Sequence, residues 1–163
     1  MSRYRAPGPA KSPYITPEGM RTLLSEQKSL WLRRREVVAA LSAAAAEGDR
    51  SENAEYIYRK KELRELDRRI RYLQKRLPNL NVVDQKPANR ERVFFGAEIS
   101  LEDEDGRLVN YRIVGPDEFD HAEHYISVDS PLAQSLLKRE LGDEVVVDVP
   151  SGRMTWFIAE ISY

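Results

Sequence analysis

Residues 63–77, with the sequence LRELDRRIRYLQKRL, decide the fold of the first half of the chain. Apolar side chains recur here at alternating steps of three and four residues, at Leu63, Leu66, Ile70, Leu73 and Leu77. Leu80 continues the series, and Tyr56 extends it one heptad earlier. This spacing is that of an a/d seam, in which one side of a helix packs against another helix. Pro78 lacks the backbone N–H that a helix interior needs, so the helix should end near Leu77.

A partner helix is predicted ahead of this one, over residues 17–47. Two apolar series with a seven-residue step run through it, Leu23, Leu30, Val37 and Ala44, and Leu24, Trp31, Val38 and Ala45. Thr16 suits the N-cap, Pro17 the first helical position and Gly48 the C-terminal cap. Because only about five residues join the two helices, they must form an antiparallel hairpin with arms roughly 40 Å long. Trp31 is expected to be packed.

The other segments set the domain boundaries. Residues 1–15 are rich in proline and poor in apolar side chains, which predicts a flexible tail. The hairpin is expected over residues 16–80, with its tip at 48–56. Residues 84–163 form a separate domain, because the helical period stops there.

This second domain is predicted to be a small antiparallel sheet with one short helix. Short apolar runs alternate with turn residues, and Asp105-Gly106 is a strong hairpin signal. Ser130-Pro131 opens the short helix, with Ser130 as N-cap. The predicted fold class is therefore α+β, an antiparallel helical hairpin followed by a sheet domain.

Composition and charge exclude several classes of protein. The chain has 163 residues, no cysteine and a net charge of −1. It has no apolar run long enough to span a membrane and no secretory signal, so a cytoplasmic protein is expected. The charge is split, since residues 1–80 carry a net charge of +8 and residues 81–163 one of −9. A basic half of this kind is expected to face phosphates or an acidic surface.

The predicted tip carries a specific motif, GDRSENAEY over residues 48–56. Together with residues 57–67 and the segment SVDSP at 127–131, it resembles the bacterial Gre family of transcript-cleavage and transcription elongation factors, GreB type. The resemblance covers residues 13–163. It implies an FKBP-like second domain that docks on RNA polymerase through Asp129, Ser130 and Pro131. It also implies that the hairpin enters the secondary channel of the polymerase.

The resemblance assigns roles to the tip residues. Asp49 and Glu52 would assist catalysis in trans, by completing the site of a second, weakly held magnesium ion in the polymerase. Two acids on a loop cannot supply the six oxygen ligands of magnesium, so the isolated protein should hold no metal tightly. Asn53, Glu55 and Tyr56 would support the tip. The protein would activate RNA hydrolysis by the polymerase and would not be an enzyme itself.

The same tip residues have a structural interpretation. Asp49 could cap the second helix, with Glu52 three residues later completing a capping box. In that case both carboxylates would satisfy backbone N–H groups at the helix start. The two roles do not exclude each other, because a cap also fixes the direction of a side chain.

Basic residues are concentrated on the second helix. Residues 56–76 contain nine Lys or Arg and three acids. The residues predicted to contact nucleic acid are Lys60, Lys61, Arg64, Arg68, Arg71 and Lys75, and all but Lys60 fall at exposed heptad positions opposite the seam. The resemblance implies contact with the extruded 3′ segment of nascent RNA, although a solvated face with intrahelical pairs is the alternative. Aromatic residues are sparse on this face, so base stacking is not predicted.

Two alternative functions remain open from the sequence. A Gre-like protein could plug the secondary channel and inhibit, although Asp49 and Glu52 match the cleavage motif. The hairpin could also bind RNA without polymerase. In each case a monomer is expected, because the apolar seam is satisfied within one hairpin.

Overall fold

The computed structural model describes residues 8–48 and 53–163. It divides into two compact units, one formed by the chain up to Gly19 together with Asn81–Tyr163, and the other by Met20–Leu80. None of the described helices is both long and apolar enough to cross a membrane.

Two long helices form the hairpin. Helix α1 spans Pro17–Ala45 and helix α2 spans Ala54–Arg76, and a short 3-10 turn over Leu77–Asn79 follows at Pro78. Ion pairs between described residues join the two helices, and they include Glu26 with Arg69 at 2.9 Å, Arg33 with Glu62 at 2.7 Å and Arg34 with Asp67 at 2.7 Å. The earlier residue of α1, Glu26, pairs with the later residue of α2, Arg69, whereas Arg33 pairs with the earlier Glu62. The helices therefore run antiparallel, as predicted.

The seam of the hairpin follows one of the two apolar series in α1. Its buried members in the described chain are Leu23, Val37 and Ala44 from α1, and Ile70, Leu73 and Leu77 at the end of the second arm. The expectation that Trp31 is packed is wrong, because this residue is 42% exposed, as is Leu24. A helix can turn only one stripe toward a single partner, so the second series is not buried: Leu24 and Trp31 are exposed, and Val38 and Ala45 are half-buried.

The other unit is built on a five-stranded sheet. Its strands are β3 (Glu98–Glu102), β4 (Leu108–Val114), β5 (Tyr125–Ser127), β6 (Glu144–Val149) and β7 (Gly152–Ser162). They lie in the order β5-β4-β3-β7-β6. The short helix α3 (Pro131–Leu136) packs on the sheet through Ala133 and Leu136, which belong to its apolar core.

The predicted fold class is confirmed, with one correction to the sheet. Strands β3, β4, β6 and β7 are joined by antiparallel pairings, but β5 runs parallel to β4. The sheet is therefore mixed. The reason is the long connection from β4 to β5, since it includes a 3-10 turn at Phe119–His121 and returns the chain in the same direction.

The end of the predicted flexible tail is ordered, which the sequence analysis did not anticipate. Strand β1 (Tyr14–Ile15) pairs in parallel with β2 (Asn81–Val82). The Asn81 N–H donates to the Pro13 carbonyl at 2.7 Å, so a proline is tolerated here as an acceptor. The Ile15 side chain is fully buried.

A buried carboxylate fixes the start of α1. Glu118 is 1% exposed and accepts the Thr16 N–H at 2.7 Å, the Thr16 hydroxyl, and the Gly115 N–H at 3.0 Å. Thr16 caps α1 as predicted, since its hydroxyl oxygen accepts the Gly19 N–H at 3.0 Å. A Cβ atom at Gly19 would clash with the Glu118 carboxylate, which explains a glycine in the first turn.

Candidate hairpin tip and nucleic-acid interface

The two helices are joined by residues 46–53. Helix α1 ends at Ala45, and two further turn bonds follow, from the Ala46 N–H to Ser42 and from the Glu47 N–H to Ala44. Gly48 then adopts a φ of +130°, a conformation that residues with a side chain rarely take. The described chain resumes at Asn53, so the predicted catalytic residues Asp49 and Glu52 lie outside the described residues.

Asn53 closes the hairpin. Its Oδ1 accepts the Tyr56 N–H at 3.0 Å and so caps α2, while its Nδ2 donates to the Ala44 carbonyl at 2.8 Å. One side chain thus satisfies a free donor at the start of α2 and a free acceptor at the end of α1. Asn53 therefore occupies the N-cap of α2, and the capping box interpreted from Asp49 and Glu52 lies outside the described residues.

Glu55 and Tyr56 stand in the first turn of α2. Glu55 accepts from Arg59 at 2.8 Å, and Arg59 also donates to Glu62 at 3.1 Å. The ring centroid of Tyr56 is 5.8 Å from the Lys60 ammonium group. Glu55 is thus part of a network along α2, and a carboxylate in the first turn also favours the helix dipole.

The network continues across the hairpin. Glu62 accepts from Arg33 of α1 at 2.7 Å, and Arg33 also donates to Glu36 at 3.0 Å. The hydrogen bond from Arg33, followed by that from Arg59, holds the pKa of Glu62 below its usual range, although partial burial opposes it. The same bonds raise the pKa of Arg33, chiefly through Glu62, and of Arg59, chiefly through Glu55.

Two groups can be distinguished among the basic residues of the hairpin. The first group is paired with carboxylates along the helix contact, and its members are Arg33, Arg34, Arg59 and Arg69. The second group is exposed and makes no ion pair within the described part of the chain, and its members are Lys61, Arg64, Arg68, Arg71 and Lys75. The second group is called the basic stripe below. Lys60, also predicted to bind nucleic acid, is exposed beside the Tyr56 ring.

The basic stripe is chemically suited to phosphate. Its side chains lie on the face of α2 turned away from the seam, so their charges are neither buried nor neutralised within the described hairpin. Among the described residues of α2, intrahelical ion pairs are formed by Arg59, which lies outside the basic stripe. The stripe itself is a solvated face, as the structural alternative also expects. A row of free cations along one helix attracts a polyanion without reading its sequence.

The predicted docking segment begins α3. The Ser130 hydroxyl accepts the Ala133 N–H at 3.2 Å, and Pro131 is the first helical residue, as predicted for a capped helix start. The Asp129 carboxylate accepts the Ser12 N–H at 2.9 Å and the Ser12 hydroxyl. Asp129 therefore ties the N-terminal segment to the start of α3, and its spare oxygen lone pairs remain available.

The structure adds one role and one residue that the sequence did not predict. Asn53 is the true cap of α2, and the signal for it was an asparagine directly before Ala54 with an acid in the first turn. Glu118 anchors Thr16, but no local pattern could pair residues so far apart in sequence. Within residues 8–48 and 53–163 there is no group of three or more His, Asp or Glu side chains that could hold a metal ion.

Comparison with known proteins identifies the family. The model described as "Transcription elongation factor, N-terminal" matches residues 13–82, and that described as "Transcription elongation factor, GreA/GreB, C-term" matches residues 87–163. Transcription elongation factor GreB of Pseudomonas aeruginosa is 57% identical over all of this chain and 98% of its own. The GreB of Xanthomonas axonopodis pv. citri is 54% identical, with the same two coverages.

Among solved structures, GreA factor homolog 1 of Thermus thermophilus covers 94% of this chain and 100% of its own, at 22% identity and a TM-score of 0.42. The two family models span nearly the whole sequence, and the curated relatives match it from end to end. The chain therefore belongs to the GreA/GreB family of transcription elongation factors, as a member of the GreB type.

Proposed function

We propose that this elongation factor inserts its helical hairpin into the secondary channel of RNA polymerase and stimulates the magnesium-dependent cleavage of backtracked nascent RNA by that polymerase. Cleavage would rescue arrested complexes. The observation that carries the proposal is the hairpin itself, closed at one end by Asn53 and lined along α2 by the basic stripe. Family membership supports the same activity.

The tip supplies the chemistry in this proposal. In the sequence, Asp49 and Glu52 lie between Gly48 and Asn53, and these two described residues are at the end of the hairpin opposite Met20 and Leu80. Each arm is roughly 35–45 Å long at the α-helical rise of about 1.5 Å per residue, so the tip can reach deep into a channel. The hydrogen bond from Asn53 to Ala44 fixes the two helix ends that carry these carboxylates.

The donor set at the tip fits magnesium that is shared with a second protein. Carboxylate oxygens are the hard ligands that magnesium prefers, but two of them leave the octahedral shell incomplete. When bound, the ion would lower the barrier to attack of water on the RNA phosphodiester. Asp49 and Glu52 would hold it, and they would orient the attacking water through hydrogen bonds. The chain would thus act as an activator, with hydrolysis taking place at the polymerase.

The remaining predicted residues hold the partners in place. The basic stripe would run beside the phosphates of the extruded RNA 3′ segment, with Lys60 at its tip end. Asp129, Ser130 and Pro131 would dock on the polymerase, where Ser130 and Pro131 fix the start of α3. One chain is sufficient for this arrangement. The place of action would be the cytoplasm, where bacterial polymerase works.

Cleavage in stalled complexes tests this proposal. Backtracked elongation complexes with 5′-labelled RNA are incubated with magnesium and the protein, and then with the Asp49→Ala and Glu52→Ala variants. Wild type should yield shortened, extendable transcripts, and the variants should bind polymerase without producing them. Arg153→Ala, an exposed change in the sheet unit, is the matched control and should cleave normally.

Two other outcomes would replace the proposal. Blocked elongation without shortening would indicate an inhibitor that plugs the channel. No effect on the complexes, together with binding to free RNA, would indicate an RNA-binding hairpin that works without polymerase.

A further inference from the structure

A groove on the hairpin combines an exposed aromatic ring with cations. Its volume is about 350 Å³, and its lining residues are Trp31, Arg34, Asp67, Ile70, Arg71 and Gln74. Ile70 is 3% exposed and belongs to the seam, so it gives the groove an apolar floor. The ring of Trp31 comes from α1 and is 42% exposed. Packing of the hairpin therefore covers part of this tryptophan and leaves the rest open to a ligand.

The charges of the groove leave one cation free. Arg34 donates to Asp67 at 2.7 Å and lies over the Trp31 ring, with its guanidinium carbon 6.0 Å from the ring centroid. The negative charge of Asp67 is thus balanced. Arg71 is exposed and makes no ion pair within the described residues. It belongs to the basic stripe, so the groove lies on the route that the stripe would give to a polyanion.

We propose that this groove is a binding site for one nucleotide of single-stranded RNA, whose base stacks on Trp31 and whose phosphate pairs with Arg71. The choice of RNA as the polyanion rests on the proposed function, whereas the site itself rests on the groove. An aromatic face beside free cations is the arrangement by which proteins hold single strands without sequence preference. Gln74 offers an amide that can bond to a base edge or a ribose hydroxyl.

This site changes what the basic stripe can do. Phosphate contacts alone would let a strand slide along α2, because they are equivalent from one nucleotide to the next. A stacked base gives the strand a fixed register against the hairpin. The sequence did not predict stacking, since the aromatic ring belongs to α1 and the cations to α2.

The test uses the fluorescence of Trp31 in the full chain. Trp156 is 8% exposed in the sheet core and is replaced by Phe, so that Trp31 is the remaining tryptophan. The protein is titrated at low salt with a short oligoadenylate and, separately, with inorganic polyphosphate, which has charge but no bases. Quenching by the RNA and little quenching by polyphosphate are expected. Equal quenching by both, or none with the RNA, would overturn the proposal.

Two substitutions separate stacking from charge, with binding followed by the anisotropy of labelled RNA. Trp31→Leu should weaken binding about 5- to 100-fold, the range expected for loss of one stacked base, with little change in the salt dependence. Arg71→Gln should weaken binding and lower the salt slope by about one phosphate contact. Phe119→Leu removes an aromatic that is 50% exposed in the sheet unit and should leave affinity unchanged. Equal affinity of Trp31→Leu and wild type would contradict the site.

The test of the nucleotide site and the test of polymerase-dependent cleavage can fail independently of each other. If cleavage with polymerase occurs but Trp31 is not quenched by RNA, the stacking site is wrong and the cleavage activity stands. If Trp31 is quenched and Trp31→Leu weakens binding, the site stands even where polymerase-dependent cleavage is absent. Thermal unfolding of Trp31→Leu should match wild type, because the ring is outside the seam.

Discussion

Substitution of Asn53 by alanine should open the tip of the hairpin. The change removes the cap of the Tyr56 N–H and the bond to the Ala44 carbonyl together. Loss of an N-cap costs about 1 kcal/mol, and loss of one further hydrogen bond costs about 1 kcal/mol. The free energy that keeps the start of α2 closed should therefore fall by about 2 kcal/mol, which corresponds to about 30-fold faster exchange of protected amides there.

Hydrogen exchange measured residue by residue is the appropriate assay. The Tyr56 N–H is one of the first-turn donors that lack an intrahelical partner, so its protection reports on the cap directly. Asn53→Ser is the matched control, because a serine oxygen can still cap α2 but is too short to bridge to Ala44. In Asn53→Ser the free energy that keeps the start of α2 closed should fall by about 1 kcal/mol, which is half of the loss expected for Asn53→Ala. Amides of the sheet unit should be unchanged in both variants.

The result also bears on function. If the two Asn53 hydrogen bonds position the tip carboxylates, Asn53→Ala should slow cleavage by backtracked complexes more than Asn53→Ser does, at equal binding to polymerase. If the Tyr56 N–H is as well protected in Asn53→Ala as in wild type, the Asn53 side chain neither caps α2 nor closes the hairpin.

Three further predictions follow from the contacts. Glu118→Ala should lower the free energy of unfolding by about 3 kcal/mol, because its buried carboxylate accepts several hydrogen bonds. Glu118→Gln should recover most of this loss, because one amide oxygen can accept both backbone N–H groups that converge on Oε2, and the amide N–H can donate to the Thr16 hydroxyl. Denaturant unfolding measures both variants. Charge reversal at Arg64 and Arg68 should impair cleavage of deeply backtracked complexes most, and equal loss on short and long backtracks would count against it. The lowered pKa of Glu62 means that its contribution to stability is present above about pH 4.5 and is lost as the pH falls through the lower folded value. Glu62→Gln should therefore flatten the loss of thermal stability below that pH, and an unchanged pH profile would show that its ion pairs contribute nothing.

The sequence predicted the hairpin well because its signal is periodic and local. The three-four step of the α2 seam and Pro78 located both the packed face and the end of the helix. Periodicity alone did not identify the buried face of α1, because two adjacent apolar series were equally regular there. Only the position of α2 decides which series is buried, and this left Trp31 on the surface.

Long-range contacts were outside the reach of sequence patterns. The prolines near the N-terminus indicated a flexible tail, yet Tyr14–Ile15 pairs with Asn81–Val82, some 67 residues away in the chain. The parallel pairing of β5 likewise depends on the path of a connection, and strand alternation carries no information about it. The sequence of the tip did not indicate Asn53 as the cap of α2, because its second bond depends on how close the end of α1 lies.

Asp49 and Glu52 are proposed to help hold magnesium at the polymerase, and the magnesium dependence of cleavage tests this role. Backtracked complexes saturated with protein are assayed over a range of magnesium concentrations, with wild type, Asp49→Asn and Glu52→Gln. If the tip carboxylates help to hold the ion, both variants should need more magnesium for half-maximal cleavage, and part of the lost rate should return at high magnesium. The same magnesium requirement for wild type and both variants would show that Asp49 and Glu52 do not help to hold the ion.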